Sequence, residues 1–113
     1  MLSKLFWPAF IEHRDCILRG DAFSQEHFDG FMTATKHDKR SVEHVVNHLH
    51  VVDIFPDHPL TLSQVLFVGR TLREMWEAKL ARDFPERVFL VTFQEPLDED
   101  DVLEGEVTFY QVA

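Results

Sequence analysis

The sequence has very little cysteine, since Cys16 is the only one in 113 residues. A single cysteine excludes a disulfide within the chain and is typical of a reducing compartment, so a cytoplasmic protein is expected. The sequence also lacks a glycine-rich phosphate loop and the G-x-S-x-G and C-x-x-C motifs. These absences argue against several common enzyme classes, and they leave open whether the chain is an enzyme.

Long apolar runs are missing as well. No stretch approaches the ~20 apolar residues that a membrane-spanning helix needs. Near the N-terminus, Pro8 interrupts a short apolar run and Glu12 ends it, which is too short for a signal peptide with its cleavage site. The sequence therefore predicts no membrane partner.

Positive charge is the third shortage. The chain has 11 Lys and Arg residues against 20 Asp and Glu residues, which gives a formal net charge of -9. This balance argues against nucleic acid as a partner, because phosphates are bound by basic surfaces. Six acidic residues lie close together near the C-terminus: Asp98, Glu99, Asp100, Asp101, Glu104 and Glu106.

The acidic stretch predicts a solvated loop over residues 96–105. It lacks the alternating D-x-D-x-D-G spacing of a calcium-binding loop, so no metal is assigned to it. Concentrated negative charge steers and selects positively charged partners. Candidate partner-binding residues are therefore Asp98, Glu99, Asp100 and Asp101.

Apolar side chains are plentiful, at 45% of the residues, with 11 Phe among them. This content is enough for one hydrophobic core, so residues 1–113 are expected to form a single domain. The clearest element is a helix over residues 61–84, whose apolar residues recur at three- and four-residue steps. Thr61 or Ser63 can cap its first turn, and Pro85 stops it.

Two features of this helix lead to further expectations. Gly69 lies in the apolar stripe, where glycine is unfavourable, and this predicts close approach by another backbone. On the opposite face, Arg70 and Arg73 lie four residues before Glu74 and Glu77, a spacing that allows ion pairs along the helix.

Two shorter helices are predicted ahead of the long one. The first begins after Ser24, and the second runs from Ser41 to about Phe55, where Pro56 ends it. Towards the C-terminus, residues 87–94 and 106–112 are rich in β-branched and aromatic side chains. These two segments predict antiparallel strands joined by the acidic loop.

The predicted fold is α+β, an antiparallel sheet packed against three helices. A two-stranded sheet is marginal by itself, so residues 10–18 are expected to complete it. They would do so as one bent strand or as a hairpin about Arg14 and Asp15, although Arg-Asp is a poor two-residue turn. A second copy of the chain is the alternative source of the missing strand.

Residues 44–53, HVVNHLHVVD, are the most suggestive stretch for chemistry. His44 and His48 lie four residues apart, so a helix would place both imidazoles on one face at a spacing that suits a transition metal. His50 and Asp53 point elsewhere on an unbroken helix that turns about 100° per residue, so His50 could join the pair only if the helix ended near His48. The zinc-protease pattern HExxH is absent. No metal or other cofactor is assigned. The candidate ligand-facing residues are His44, Asn47, His48 and His50.

Cys16 is the second candidate for chemistry. A two-residue turn at Arg14 and Asp15 would place His13 directly opposite this thiol, as a base beside a nucleophile. No third group is evident, and cysteine is among the most often buried residues, so a core thiol is the better interpretation.

Two functions from different classes fit these observations. The first is a small acidic binding protein, of the inhibitor or immunity type, that associates with itself as a homodimer or with a basic protein. The second is a small-molecule-binding or metal-assisted enzyme that uses residues 44–50. No catalytic residue is assigned in either case.

Overall fold

The computed structural model describes residues 2–112, which contain four α-helices, two 3₁₀ helices and two antiparallel sheets. The predicted α+β class is confirmed. No helix in this part of the chain is both long and apolar enough to cross a bilayer. The helices are α1 (Leu2–Phe6), α2 (Gln25–Ala34), α3 (Lys39–Asn47) and α4 (Leu62–Asp83), with 3₁₀ helices at Val51–Ile54 and Glu99–Glu104. The strands are β1 (Phe10–His13), β2 (Cys16–Arg19), β3 (Leu49–His50), β4 (Phe89–Gln94) and β5 (Glu106–Gln111).

The predicted long helix is confirmed as α4. The Thr61 hydroxyl accepts from the Gln64 N–H at 3.2 Å, and the Thr61 N–H donates to the Gln64 side chain at 2.9 Å. This capping box gives hydrogen-bond acceptors to two backbone N–H groups that have none within the first turn of the helix. Trp76 is fully buried, and its indole N–H donates to the Leu5 carbonyl at 2.8 Å. The buried stripe consists of Val65, Gly69, Leu72, Trp76 and Leu80.

Two expectations about α4 are wrong. An aromatic side chain, and not another backbone, approaches Gly69: a Cβ atom there would lie 2.1 Å from the Phe93 ring. The predicted ion pairs along the helix are absent from residues 2–112. Arg70 instead binds Glu95, beyond β4, through hydrogen bonds of 2.9 and 2.8 Å. The tight contact and the ion pair both attach α4 to the C-terminal sheet.

The C-terminal sheet has the order β3-β5-β4. The predicted hairpin of β4 and β5 is confirmed and pairs along six residues. The third strand is β3, which pairs Leu49 with Val107 and His50 with Glu106. The expectation that residues 10–18 supply this strand is wrong, since they form a separate two-stranded sheet.

The N-terminal sheet is a hairpin of β1 and β2 that turns at Arg14 and Asp15. Both turn residues have left-handed backbone, with φ of 50° and 71°, as a type I′ turn requires. The Asp15 carboxylate is bound by Lys39 at 3.3 Å and by Arg87 at 3.5 Å. Contacts with residues distant in sequence therefore hold a turn that the local sequence disfavours.

Helix α3 begins and ends earlier than predicted. Its cap is Asp38 and not Ser41, because Asp38 accepts the Arg40 N–H at 3.2 Å and the Ser41 hydroxyl at 2.7 Å. The predicted continuation to Phe55 is wrong. The helix ends at Asn47, since the next residues leave it to pair with β5 as strand β3.

Two polar side chains of α3 keep the sheets apart. Glu43 is only 1% exposed, and it accepts the Ile17 N–H at 2.7 Å and the Gln111 N–H at 2.8 Å. Asn47 is fully buried and donates to the carbonyls of Ile17, at 3.0 Å, and Phe109, at 3.3 Å. Glu43 and Asn47 thus bond backbone N–H and C=O groups at the edges of β2 and β5, which would otherwise need a neighbouring strand. This is why residues 10–18 do not join the C-terminal sheet.

Candidate functional site

Two of the three predicted ligand-facing histidines, His48 and His50, pack against each other, and the third, His44, packs against a tyrosine. His44 is exposed and packs beside Tyr110, with ring centroids 5.5 Å apart. His48 directly follows α3, and His50 lies in β3. Their rings pack edge to face, with centroids 5.4 Å apart. Across residues 2–112, no three His, Cys, Asp or Glu side chains are grouped so that they could hold a metal ion.

Asn47, the fourth member of that candidate group, lies in the core. Its side-chain oxygen accepts the Arg19 N–H at 2.9 Å, and its amide group donates to two strand carbonyls. These bonds use both amide hydrogens. Asn47 therefore faces strand backbone and not a ligand.

Cys16 is a core thiol, as predicted. It is fully buried, and burial, assisted by the charge of Glu43, raises the pKa of the Cys16 thiol to about 11. His13 does lie opposite it in the hairpin. The imidazole, however, packs against the rings of Phe23 and Phe28, with centroids 4.8 and 4.7 Å away. A thiol with so high a pKa has little thiolate to act as a nucleophile.

Two of the four acidic candidates cap helices. The Asp98 carboxylate accepts the Asp100 N–H at 2.9 Å and caps the 3₁₀ helix Glu99–Glu104. Both carboxylate oxygens of Glu99 accept the Leu62 N–H, at 3.0 and 3.1 Å. A carboxylate at this place bonds an otherwise free donor of α4 and complements the helix dipole. The predicted solvated loop is therefore a short helix fastened to the start of α4.

An open groove of about 540 Å³ lies between the segment that leads into α4 and the 3₁₀ helix Glu99–Glu104. We call it the acidic groove; it is lined by residues from 52–60 and by Val102 and Leu103. Most of the lining is apolar, and Leu103 is 66% exposed. Asp53 and Asp57 supply its negative charge.

Five carboxylates in and beside the acidic groove have no charged partner in the part of the chain that the structure describes. Within residues 2–112, no ion pair or side-chain hydrogen bond involves the carboxylates of Asp53, Asp57, Asp100, Asp101 or Glu104. Exposed apolar side chains and uncompensated negative charge therefore occur together at this surface.

The placement of the positive charges in the sequence is a signal for this groove. The 11 Lys and Arg residues all lie at positions 4–40 or 70–87, so residues 41–69 and 88–113 contain none. Both walls of the acidic groove come from these two cation-free stretches. Dense negative charge in the sequence marks only the acidic loop. Asp53 and Asp57 lie more than 40 positions before that loop, so charge density does not reveal them.

A second cleft, of about 500 Å³, has a polar lining that includes Asp15, Lys39, Arg40, Glu43 and Gln111. These groups bond mainly to one another: Lys39 pairs with Asp15 at 3.3 Å, and Arg40 Nε donates to the Gln111 carbonyl at 3.3 Å. The hydrogen bond and charge of Lys39, followed by the charge of Arg87, lower the pKa of Asp15. This cleft consequently offers fewer free groups to a ligand than the acidic groove does.

Comparisons with protein-family models, curated proteins and solved structures found no match. No relative therefore suggests a substrate or partner. The acidic groove is the feature from which a function can be inferred.

Proposed function

We propose that the chain is a binding protein whose acidic groove takes up an apolar, positively charged segment of another protein. The observation that carries the proposal is a mostly apolar groove that has Asp53 and Asp57 in its lining and no Lys or Arg in either wall. Apolar lining alone would accept many partners. The charge restricts binding to segments that contain Lys or Arg, because like charges and unpaired carboxylates disfavour other segments.

The negative charge contributes mainly to specificity and association rate. An ion pair between exposed side chains is worth about 0.2–1 kcal/mol, so no single carboxylate of Asp53, Asp57, Asp100, Asp101 or Glu104 decides affinity. Together they create a potential that attracts a basic partner from a distance. The formal net charge of -9 acts in the same direction.

The apolar lining contributes most of the affinity. Burial of one exposed Leu or Phe side chain is worth about 1.5–3 kcal/mol. Leu103 is 66% exposed, and Phe55 and Leu60 are half-buried in the lining, so a partner side chain would find apolar contacts on both walls. The expected partner segment combines one or two large apolar side chains with flanking Lys or Arg.

A synthetic peptide with alternating Leu and Lys residues is a direct probe. Its affinity should fall as NaCl is raised, and it should fall further in the double variant Asp57→Asn/Asp101→Asn. Leu103→Ser should weaken binding with little change in its salt dependence. Isothermal titration calorimetry at two ionic strengths measures both effects.

The matched control is Glu77→Gln/Glu86→Gln, which removes the same amount of charge from two exposed residues outside the groove. It should bind the peptide almost as the original chain does. Equal losses in the two double variants would mean that only net charge matters, and the groove would not be the site. A Ser-Lys peptide that binds as tightly as the Leu-Lys peptide would contradict the role of the apolar lining.

The alternative hypothesis, a small-molecule-binding or metal-assisted enzyme centred on His44, His48 and His50, stays a prediction. Its metal version is tested by adding Zn²⁺ or Ni²⁺ to chelator-treated protein. A rise in Tm that His48→Ala abolishes would support a metal site. An unchanged Tm with both metals would argue against it.

A further inference from the structure

We infer that two copies of this chain associate through the free edges of their β4 strands, antiparallel, with Val91 of one copy facing Val91 of the other. Within residues 2–112, β4 pairs with β5 alone, so its outer edge has no neighbouring strand. The inference does not rest on the acidic groove, since no lining residue of the groove lies in β4.

The direction of the backbone groups determines the register. The Val112 N–H donates to the Val88 carbonyl at 3.0 Å, so the even-numbered residues along β4 bond towards β5. Because neighbouring residues of a strand point to opposite sides, the N–H and C=O groups of Phe89, Val91 and Phe93 point to the free edge. An antiparallel pair centred on Val91 joins all of these groups and forms about six backbone hydrogen bonds.

β4 has none of the features that normally keep an edge strand from pairing. Its sequence, FLVTFQ, contains no charged residue and no proline, and it pairs with β5 without a bulge. Next to this edge, Val88 is 54% exposed and Leu90 is 44% exposed. An uncharged, regular and partly apolar edge is typical of a strand that pairs with another chain.

The edges of β2 and β5 differ from that of β4, because side chains of α3 bond their backbone groups. Glu43 and Asn47 bond the backbone of β2 and of β5, which blocks pairing at both places. Burial of a carboxylate and an amide for that purpose is costly unless each polar atom finds a partner. The fold thus satisfies two edges internally and leaves the β4 edge open.

Charge at the two ends of β4 favours a second copy in the antiparallel orientation. In the register centred on Val91, Arg87 of each copy lies opposite Glu95 of the other. Each of these residues already has partners within its own chain, Arg70 for Glu95, and Glu12, Asp15 and Gln111 for Arg87, so the contact between copies would add one opposite charge to each existing cluster. Parallel pairing would instead bring Arg87 next to Arg87 and Glu95 next to Glu95, which is unfavourable.

Salt should strengthen this association. Two copies with a formal net charge of -9 each repel one another, and added salt screens that repulsion. Salt also weakens the two Arg87–Glu95 contacts, but exposed ion pairs contribute little, so the screened repulsion is the larger effect. Binding of a basic segment in the acidic groove should instead weaken as salt is added, because salt weakens attraction between unlike charges. The two proposals can therefore fail independently.

Sedimentation equilibrium over a range of protein and NaCl concentrations tests the inference. We expect a species of twice the 13.3 kDa chain mass, with a dimer fraction that rises with NaCl. Leu90→Lys places a charge beside the edge and should weaken dimerisation by about tenfold or more. Phe67→Lys is the control, since Phe67 is 72% exposed on α4 and should leave the dimer unchanged.

Disulfide trapping tests the register and covers the case in which Leu90→Lys does not fold. In the proposed dimer, residue 90 lies opposite residue 92 of the other copy, a pair with Cα atoms about 4.5 Å apart. The double variant Leu90→Cys/Thr92→Cys should therefore oxidise to a covalent dimer. Leu90→Cys alone should not, because its diagonal distance of about 7–8 Å exceeds the reach of a disulfide.

Three results would overturn the inference. The first is a chain that stays monomeric at every protein and salt concentration. This result would overturn the inference even if the β4 edge bound a strand of a different protein. The second is a dimer that Leu90→Lys leaves intact while Phe67→Lys disrupts it. The third is efficient cross-linking of Leu90→Cys alone, which would show a different register.

Discussion

Gly69 of α4 and Phe93 of β4 are in direct contact, because the absence of a side chain at Gly69 makes room for the phenyl ring. A Cβ atom at Gly69 would lie 2.1–2.5 Å from three atoms of that ring. Phe93 is 8% exposed and belongs to the main core. This contact sets how closely the long helix approaches the C-terminal sheet.

Gly69→Ala should therefore destabilise the protein, although alanine is the better helix former. We expect the free energy of unfolding to fall by about 1–3 kcal/mol, as is usual when a well-packed core is overfilled. Gly30→Ala is the matched control, since a Cβ atom at this position of α2 would have nothing within 4 Å. That variant should gain about 0.5–1 kcal/mol, and urea unfolding measures both changes. Restored stability in Gly69→Ala/Phe93→Leu would identify the ring as the cause.

Glu43→Ala should be among the most damaging single substitutions. It leaves the buried Ile17 amide and the half-buried Gln111 amide without an acceptor, at an expected cost of about 3 kcal/mol. Glu43→Gln keeps the shape but replaces one acceptor oxygen with a donor, so we expect a smaller loss of about 1–2 kcal/mol. Denaturant unfolding measures both, with Glu77→Gln as an exposed control. A loss below about 1 kcal/mol in Glu43→Ala would contradict the role of this carboxylate as the acceptor for backbone N–H groups of β2 and β5.

Cys16 should be unreactive while the protein is folded. The thiol is fully buried, and its pKa is raised to about 11, so at pH 8 it is almost entirely protonated as well as inaccessible. DTNB should release no thiolate colour from native protein and should react once per chain in guanidinium chloride. Rapid labelling of native protein would mean that the N-terminal hairpin opens readily.

Stability should fall on acidification as exposed ion pairs are lost. Lys39 lowers the pKa of Asp15, and Arg70 lowers the pKa of Glu95, from usual values of 3.8 and 4.5. The unfolded chain therefore binds these protons first, so the stabilisation is complete above the usual pKa and disappears as pH falls through the folded pKa. Urea unfolding between pH 7 and pH 3 should show this decline. A shallower decline is expected for Asp15→Asn, and a decline as steep as that of the original chain would contradict the contribution of this pair.

Local signals in the sequence are sufficient for several elements. The α4 helix follows from its apolar period, the Thr61 cap and Pro85, and α2 follows from Ser24, which accepts the His27 N–H. The C-terminal hairpin follows from two β-rich segments on either side of the acidic loop. In each case, the residues that form the element also carry the preference for it, and no distant contact is required.

The acidic groove can be predicted only in part. The dense charge of one stretch points to Asp100 and Asp101, which directly precede the lining residues Val102 and Leu103. Asp53 and Asp57 do not, because it is the packing of two connecting segments that brings them beside Leu103. Glu99 has the same charge as its neighbours and looks like a partner-binding residue, yet it caps α4 through the Leu62 N–H.

By itself, the sequence determined the long helix, the C-terminal hairpin, the excess of negative charge and the buried thiol, since these depend on composition and near neighbours. Tertiary structure alone decided that Glu43 and Asn47 are buried and that β3 completes the sheet. A glutamate on an amphipathic helix is ordinarily exposed, and Glu43 is buried because its acceptors are needed by amides 26 and 68 positions away. Bonds over such separations leave no periodic trace in the sequence, so the division into two sheets and the free edge of β4 became visible only in the folded chain.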